Sequence, residues 1–331
     1  MLKTLAKFLI AAILIGWLIN SGKLDLTLVK RLISDSNNWI YASLLFIFQV
    51  SLSSVRWRLI LKTKSKEYLP YRKLIGLTWI GQFFNTFLPG AVTGDLIKLV
   101  YAKDLDPKLP KTFLVMSVFI DRILGLVGLI FLTGIFTLVN YQEMIALSPK
   151  MKTLLPFNAI LFLGSLVFLV SLFLPKKPRE LILFLCEKVP VIGAKLKKTF
   201  EQVWLIGKNK KSIILAILIS LVLQYGNIWV FWLVTEPFLE VSVPIGQLFT
   251  FIPIGLISIA VPISPAGLGV GHLIFDELFK LVNIKGGASL FNLYFIIIVC
   301  SNLIGIFPYL FSKKHDLSET SEFEGLEDSK D

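Results

Sequence analysis

Three short stretches carry residues that could do chemistry. The first is Phe83-Phe84-Asn85-Thr86-Phe87-Leu88-Pro89-Gly90-Ala91-Val92-Thr93-Gly94-Asp95-Leu96-Ile97-Lys98. Proline stops an incoming helix and glycine tolerates backbone angles that other residues avoid, so Pro89-Gly90 predicts a break between two helical runs. Asp95 and Lys98 then stand three apart on the outgoing helix and share a face. The free amides and positive dipole end at the start of such a helix attract an anion such as a phosphate, and Lys98 adds a mobile cation. The plain alternative is that Asp95 or Thr93 only caps the helix while Lys98 reaches back to the membrane surface.

Asp121-Arg122 is the second stretch, inside an apolar run from Thr112 to Val139. At a rise of about 1.5 Å per residue, Asp121 stands about 14 Å from Thr112, near the middle of a hydrocarbon layer about 30 Å thick. Ionisable groups at that depth are costly and face a partner or a wet cavity. Successive residues point about 100° apart around a helix, so the two cannot simply pair with each other. Gly125 and Gly128 continue the Asp121 stripe, where a neighbouring helix can approach closely. Arg122 presents a planar donor fork suited to phosphate. The alternative is an internal ion pair, with Asp95 as candidate partner, that fixes packing.

The third stretch is Pro262-Ile263-Ser264-Pro265-Ala266-Gly267-Leu268-Gly269-Val270-Gly271-His272, a weaker echo of the first. Ser264-Pro265 reads as a helix cap followed by proline in the first turn, and Gly267 and Gly269 expose backbone. His272 could touch phosphate or take part in proton coupling, or be purely structural. Arg56 and Arg58 flank Trp57 at the end of an apolar run. They read first as lipid-interface anchors, with contact to lipid phosphate as an addition.

The elements that must position these residues are apolar. The chain has 331 residues, 55% hydrophobic and 17% charged, with a mean hydropathy of +0.76. That composition excludes disorder and argues against a water-soluble globule. Residues 315–331 hold seven acids against Lys330, a balance of −6 against the chain's +12, which leaves +18 on residues 1–314. The basic residues cluster between apolar runs, as beside anionic lipid, and no nucleic-acid module is recognisable, so no nucleic-acid partner is expected. Two cysteines, Cys186 and Cys300, and two histidines cannot assemble a structural zinc site. No metal and no cofactor are expected, and the cysteines read as two buried thiols rather than a disulfide.

Positive charge in short loops marks the cytoplasmic side. The runs Leu5 to Ile19 and Trp39 to Val55 are followed by Arg56, Arg58, Lys62, Lys64, Lys66, Arg72 and Lys73, which places this segment and the N-terminus inside. Residues 74–101 are flanked by basic residues on both sides and are too interrupted for one span of about 20 residues, so they predict a re-entrant hairpin. Thr112 to Val139 goes out and Leu154 to Leu174 returns. Residues 176–211, rich in lysine, form a cytoplasmic segment with surface helix. Ser212 to Thr235 goes out, and residues 245–281, broken at Pro262–Gly269, form a second hairpin entering from outside. Ala288 to Phe311 then returns to Lys313-Lys314.

The expected fold is therefore an all-α polytopic integral membrane protein with about six transmembrane helices and two re-entrant broken-helix hairpins. Its parts are a first membrane repeat over residues 1–140, a second over 141–311, and a disordered acidic cytoplasmic tail over 312–331. Each half makes three crossings, so the repeats are inverted, an arrangement that points to a transport site near the mid-plane.

Several of these residues also carry a resemblance. Arg56-Trp57, Asn85-Thr86-Phe87-Leu88-Pro89-Gly90 with Gly94-Asp95 and Lys98, Asp121-Arg122 with Gly125, and Pro265-Ala266-Gly267-Leu268-Gly269 together resemble the flippase-like membrane family. That family is similar to the transmembrane region of lysylphosphatidylglycerol synthases, and the likeness covers nearly the whole chain up to Phe311. The family often has arginine where Lys98 stands, a second glycine at Thr93 and an acidic residue near Gly271-His272. The resemblance implies lipid translocation. It does not imply a synthase, because the large soluble domain that performs aminoacyl transfer is lacking and residues 176–211 are too few to replace it.

The leading expectation is a lipid flippase or scramblase in the cytoplasmic membrane that moves a phosphate-bearing head group. Arg122 and Lys98 would hold phosphate, and Asp95 or Asp121 would hold a cationic group or a coupling proton. No Gly-x-x-x-x-Gly-Lys-Ser/Thr loop is present, so any drive comes from ions or a lipid gradient. The alternatives are a membrane enzyme acting on a lipid-linked substrate and a non-transporting scaffold that binds a partner enzyme through its acidic tail. The partner expected in the first case is a membrane lipid, anionic or phosphate-bearing.

Overall fold

The computed structural model describes residues 30, 32–34, 36–87, 93–147, 151–188, 193–207, 209–239, 243–260 and 270–312. Among them every regular element is helical: α1 (Asn38–Leu61), α2 (Tyr71–Phe87), α3 (Thr93–Lys103), α4 (Lys111–Val139), α5 (Tyr141–Leu147), α6 (Met151–Ser171), α7 (Lys176–Glu187), α8 (Gly193–Gly207), α9 (Lys210–Thr235), α10 (Ile245–Ala260), α11 (Val270–Lys280), α12 (Gly287–Asn302) and α13 (Ile306–Phe311). The predicted first span, Leu5 to Ile19, and the acidic tail lie outside the described residues. So do Pro89 and Gly90 in one break and Pro265, Gly267 and Gly269 in the other.

Among the described residues five helical stretches are long and apolar enough to cross a membrane: Asn38–Leu61, Lys111–Val139, Leu154–Ser171, Lys210–Phe238 and Gly287–Phe311. Their outer faces fit a lipid solvent. On α6, Phe157, Ile160, Leu163, Val167 and Val170 are all exposed at helical spacing and form one apolar face. An all-α polytopic membrane protein is the only soluble-or-membrane choice consistent with such faces, since helices satisfy their own backbone polar groups in lipid.

Two of the remaining helices, α3 and α11, are too short to cross. At about 1.5 Å per residue, the 11 residues of α3 and the 11 of α11 reach only about half of a 30 Å layer. Each is paired instead. α3 packs antiparallel on α2, with Asn85 beside Gly94 and Gly81 beside Lys98. Gly94 is required there, because a Cβ would run into the Gly81 carbonyl and the Asn85 amide nitrogen. The two flanks of this pair meet: Ser65 Oγ donates to Asp106 Oδ2 at 2.6 Å, and Lys108 pairs with Glu67 at 3.1 Å. The chain therefore enters and leaves α2–α3 at the same end of the bundle, the end that carries Lys62, Lys64, Lys66, Arg72 and Lys73.

α10 and α11 pack on each other, and Phe275 fills the space above Gly255. Their flanks also come together, with Val243, Leu281 and Val282 around a small cluster of Met144, Met151, Leu155 and Phe251. This cluster sits at the far end of α4, where Asn140 lies against Gly246. The first pair thus opens at the basic end and the second at the opposite end.

α1 and α9 form the most extensive contact, antiparallel, with Asn38 meeting Glu236 at one end and Thr63 sharing a recess with Asn209 and Lys210 at the other. α4 packs on both. α12 and α13 run back along α2: Asn302 Nδ2 donates to Thr86 Oγ1 at 2.8 Å, and Gly305 lies against Trp79 and Phe83. α7 and α8 pack together beside the bundle, tied by the Trp204 indole N–H to the Ser171 carbonyl at 3.0 Å. Both cysteines are free thiols; Cys186 is buried as expected, whereas Cys300 is exposed because its side of α12 faces outward.

Candidate functional site

The α2–α3 pair holds its polar residues against α1 and α4. Asn85 Oδ1 accepts the Gly94 backbone N–H at 2.9 Å, which ties the two arms just below the break. One turn along α3, Asp95 and Lys98 face inward; their side chains are 10% and 6% exposed. Asp95 does not serve as a simple helix cap. Its Oδ2 accepts from Arg122 Nε at 2.6 Å and lies 2.6 Å from Arg122 Nη2, and its Oδ1 lies 3.8 Å from Lys98 Nζ. Nor does Lys98 reach for the surface: its ammonium sits 3.9 Å from the centre of the Trp57 ring, a cation–π contact in a desolvated place.

Asp121 takes a different partner, as the 100° angle between neighbours requires. Arg56 donates to it through Nε–H to Oδ1 at 2.8 Å and through Nη2–H to Oδ2 at 3.0 Å, a two-pronged ion pair. Arg56 Nη1 also donates to Ser220 Oγ on α9 at 2.8 Å. The expectation that Arg56 is a lipid-interface anchor is therefore corrected. It is 6% exposed and enclosed by α1, α4 and α9, because a carboxylate on the facing helix compensates its charge. Gly125 lies beside it, where a Cβ would stand in ordinary contact with the two terminal guanidinium nitrogens and with Gln224. Gln224 Nε2 in turn donates to the Gly125 carbonyl at 2.9 Å.

Trp57, between the two arginines, links the groups. Its indole N–H donates to Ser117 Oγ at 3.0 Å, and its face carries Lys98. Arg58 stays at the basic end, where it donates to the Leu69 carbonyl at 2.8 Å and to Tyr71 Oη at 3.0 Å and so holds the turn into α2. His272 is placed elsewhere. It lies on α11, edge-on to Phe291 at 5.0 Å, and α11 packs mainly on α10 and α12.

The structure thus gathers Arg56, Asp95, Lys98, Asp121 and Arg122 into one cluster, with Asn85 and Gly94 setting the hairpin beneath it. Three of the five are buried, Asp121 is partly so, and the side chain of Arg122 is 41% exposed. Arg122 stands eleven residues beyond Lys111 on α4, about 16 Å along a helix of 29 residues. At an effective dielectric near 20, an ion pair at about 4 Å is worth about 4 kcal/mol, so Lys98 by itself is a substantial counter-ion for Asp95. Both carboxylates are already engaged by cations. The expectation that Asp95 or Asp121 holds a cationic head group is not what this arrangement favours.

Ser220 and Gln224 escaped the sequence reading, although polar residues within the run Ser212 to Thr235 are a usable signal of an inward face.

An all-α polytopic bundle with a charge cluster held between α1, α3 and α4 defines a helical membrane domain. The chain belongs to the family described as the lysylphosphatidylglycerol synthase TM region, which it matches over residues 4–304. No curated protein and no solved structure matches it.

Proposed function

We propose that this chain moves phosphate-bearing lipid head groups across the membrane, as a flippase or scramblase, without transforming them. The observation that carries the reading is Arg122: a guanidinium partly open to its surroundings at mid-depth of a spanning helix, backed by three buried charges and a partly buried Asp121. Such a group is expensive unless it serves a polar path. In this reading α2–α3 and α10–α11 are re-entrant hairpins of an inverted repeat, dipping from opposite leaflets. Their short length and the meeting of each pair's flanks at opposite ends support it. The lysine-rich end faces the cytoplasm of the cell membrane, together with both termini. Acyl chains stay in the bilayer while the head group passes Arg122.

The test is reconstitution. Purified protein in liposomes containing a phospholipid with a fluorophore on one acyl chain is exposed to a membrane-impermeant quencher, dithionite. Loss of fluorescence beyond the outer-leaflet half reports translocation. The wild-type chain is expected to expose the inner pool, and Arg122→Gln to slow this at least about tenfold, the effect of one hydrogen bond to a charged group. A wild-type trace equal to that of protein-free liposomes would refute the reading.

A further inference from the structure

α7 turns an apolar face outward. Leu181, Phe184 and Leu185 are 59%, 51% and 53% exposed, and at spacings of three and four they form one stripe along the helix. The opposite face is packed: Cys186 is buried, and the Arg179 guanidinium lies 5.4 Å from the centre of the Trp204 ring on α8. Lys177 and Lys188 stand one turn beyond either end of the stripe, and the Lys188 ammonium reaches back to 4.4 Å from the centre of the Phe184 ring. Glu180 and Glu187 stand at one edge, where Glu187 pairs with Lys197 of α8 at 2.5 Å.

The end of α6 fixes the level of this face. The Trp204 indole N–H donates to the Ser171 carbonyl at 3.0 Å, and Arg179 Nη2 donates to the Leu172 carbonyl at 3.3 Å. Ser171 is the last residue of a stretch fit to span a membrane. The outward apolar face of α6 runs on to Val170, 63% exposed, and α7 begins soon after, at Lys176. With 12 residues α7 is about 18 Å long and too short to cross. It belongs to the basic end of the bundle, since Leu205 of α8 shares the recess of Thr63.

We propose that α7 lies in the bilayer surface at this end, whether or not the chain moves lipid. Leu181, Phe184 and Leu185 are buried at the boundary between head groups and acyl chains, and Lys177 and Lys188 reach out to lipid phosphates. The occupant of the face is phospholipid for two reasons. The stripe continues a surface that α6 already presents to lipid, and the ammonium groups at its ends suit the phosphate of a phospholipid head group.

The test places a bimane fluorophore on Leu181→Cys or Phe184→Cys in the 331-residue chain carrying Cys186→Ala and Cys300→Ala. Each protein is held at one copy per disc in phosphatidylcholine nanodiscs, part of whose lipid bears a quenching nitroxide near the top of one acyl chain. Val167→Cys on α6 is the lipid-facing reference, and Lys108→Cys, at a side chain 85% exposed, is the aqueous one. Both α7 labels should be quenched at least about half as strongly as the Val167 label, as a helix seated about 5–10 Å into the boundary requires. Two labelling sites keep the result from resting on the folding of one variant. Quenching at both no greater than at Lys108 would overturn the inference. So would quenching that appears only once residues 315–331 are deleted, which would give the face to the acidic tail. Label-to-label quenching in discs with two copies, in place of quenching by lipid, would give it to a second copy and overturn it too. Lys177→Glu with Lys188→Glu should cut the quenching at Phe184 about twofold or more, and an unchanged value would overturn the role of the lysines.

Discussion

Replacing Asp121 with asparagine should destabilise the chain more than any other single change in α4 of comparable size. Arg56 is 8% exposed at its side chain and has three hydrogen bonds, two of them to Asp121 and one to Ser220. Asparagine can accept one bond from Arg56, but it carries no charge, so a guanidinium remains buried without a counter-ion. Removing one partner of a buried pair costs about 3–5 kcal/mol, and the surviving Ser220 contact argues for the lower figure, about 3 kcal/mol. At about 1.4 kcal/mol per decade, that is roughly a hundredfold in the folding equilibrium. Arg56→Met should cost a similar amount by stranding Asp121. The double variant Arg56→Met, Asp121→Leu removes both charges and fills the space with apolar atoms, so it should lie within about 1 kcal/mol of the parent. Denaturant or thermal unfolding in detergent, followed by helical circular dichroism, measures all three. If Asp121→Asn costs less than about 1 kcal/mol, or if the double variant costs the sum of the singles, the pair is not the sealed unit described and the reasoning fails.

Two other predictions concern the hairpin. Gly94→Ala places a methyl group against backbone atoms of Gly81 and Asn85, which cannot swing aside, and should cost about 1–3 kcal/mol. Gly164→Ala, where a Cβ meets nothing within 4 Å, should instead stabilise α6 by roughly 0.5–1 kcal/mol through helix propensity; equal effects in thermal melts would contradict the close approach. For topology, single cysteines at Lys66 and Lys108, in a chain lacking Cys186 and Cys300, should react with an impermeant maleimide from the same side of the membrane. A cysteine at Glu236 should react from the other side. Labelling of Lys66→Cys and Lys108→Cys from opposite sides would mean that α2–α3 crosses after all.

The site was partly legible before any tertiary information. Asp121 and Arg122 stood out because charge at mid-depth is costly wherever it occurs, and the angle between neighbours forbade a mutual pair. Asp95 was a named candidate partner for Arg122, and the structure makes that pair. Arg56 was misplaced for a physical reason. A charge at the end of an apolar run looks like the end of the span, so the helix was expected to stop at Val55. It continues to Leu61 because Arg56 points into the bundle and meets Asp121, 65 residues away. Nothing local distinguishes an arginine that faces lipid head groups from one that faces a carboxylate on another helix. The same limit hid Lys98 on the face of Trp57.

By itself the sequence determined the membrane solvent and, among the described residues, the approximate spans, since apolar run length acts over a few residues. Only the tertiary structure decided which charges neutralise one another. Ion pairing depends on distances of about 3 Å between helices far apart in the chain, and helix packing alone sets those distances.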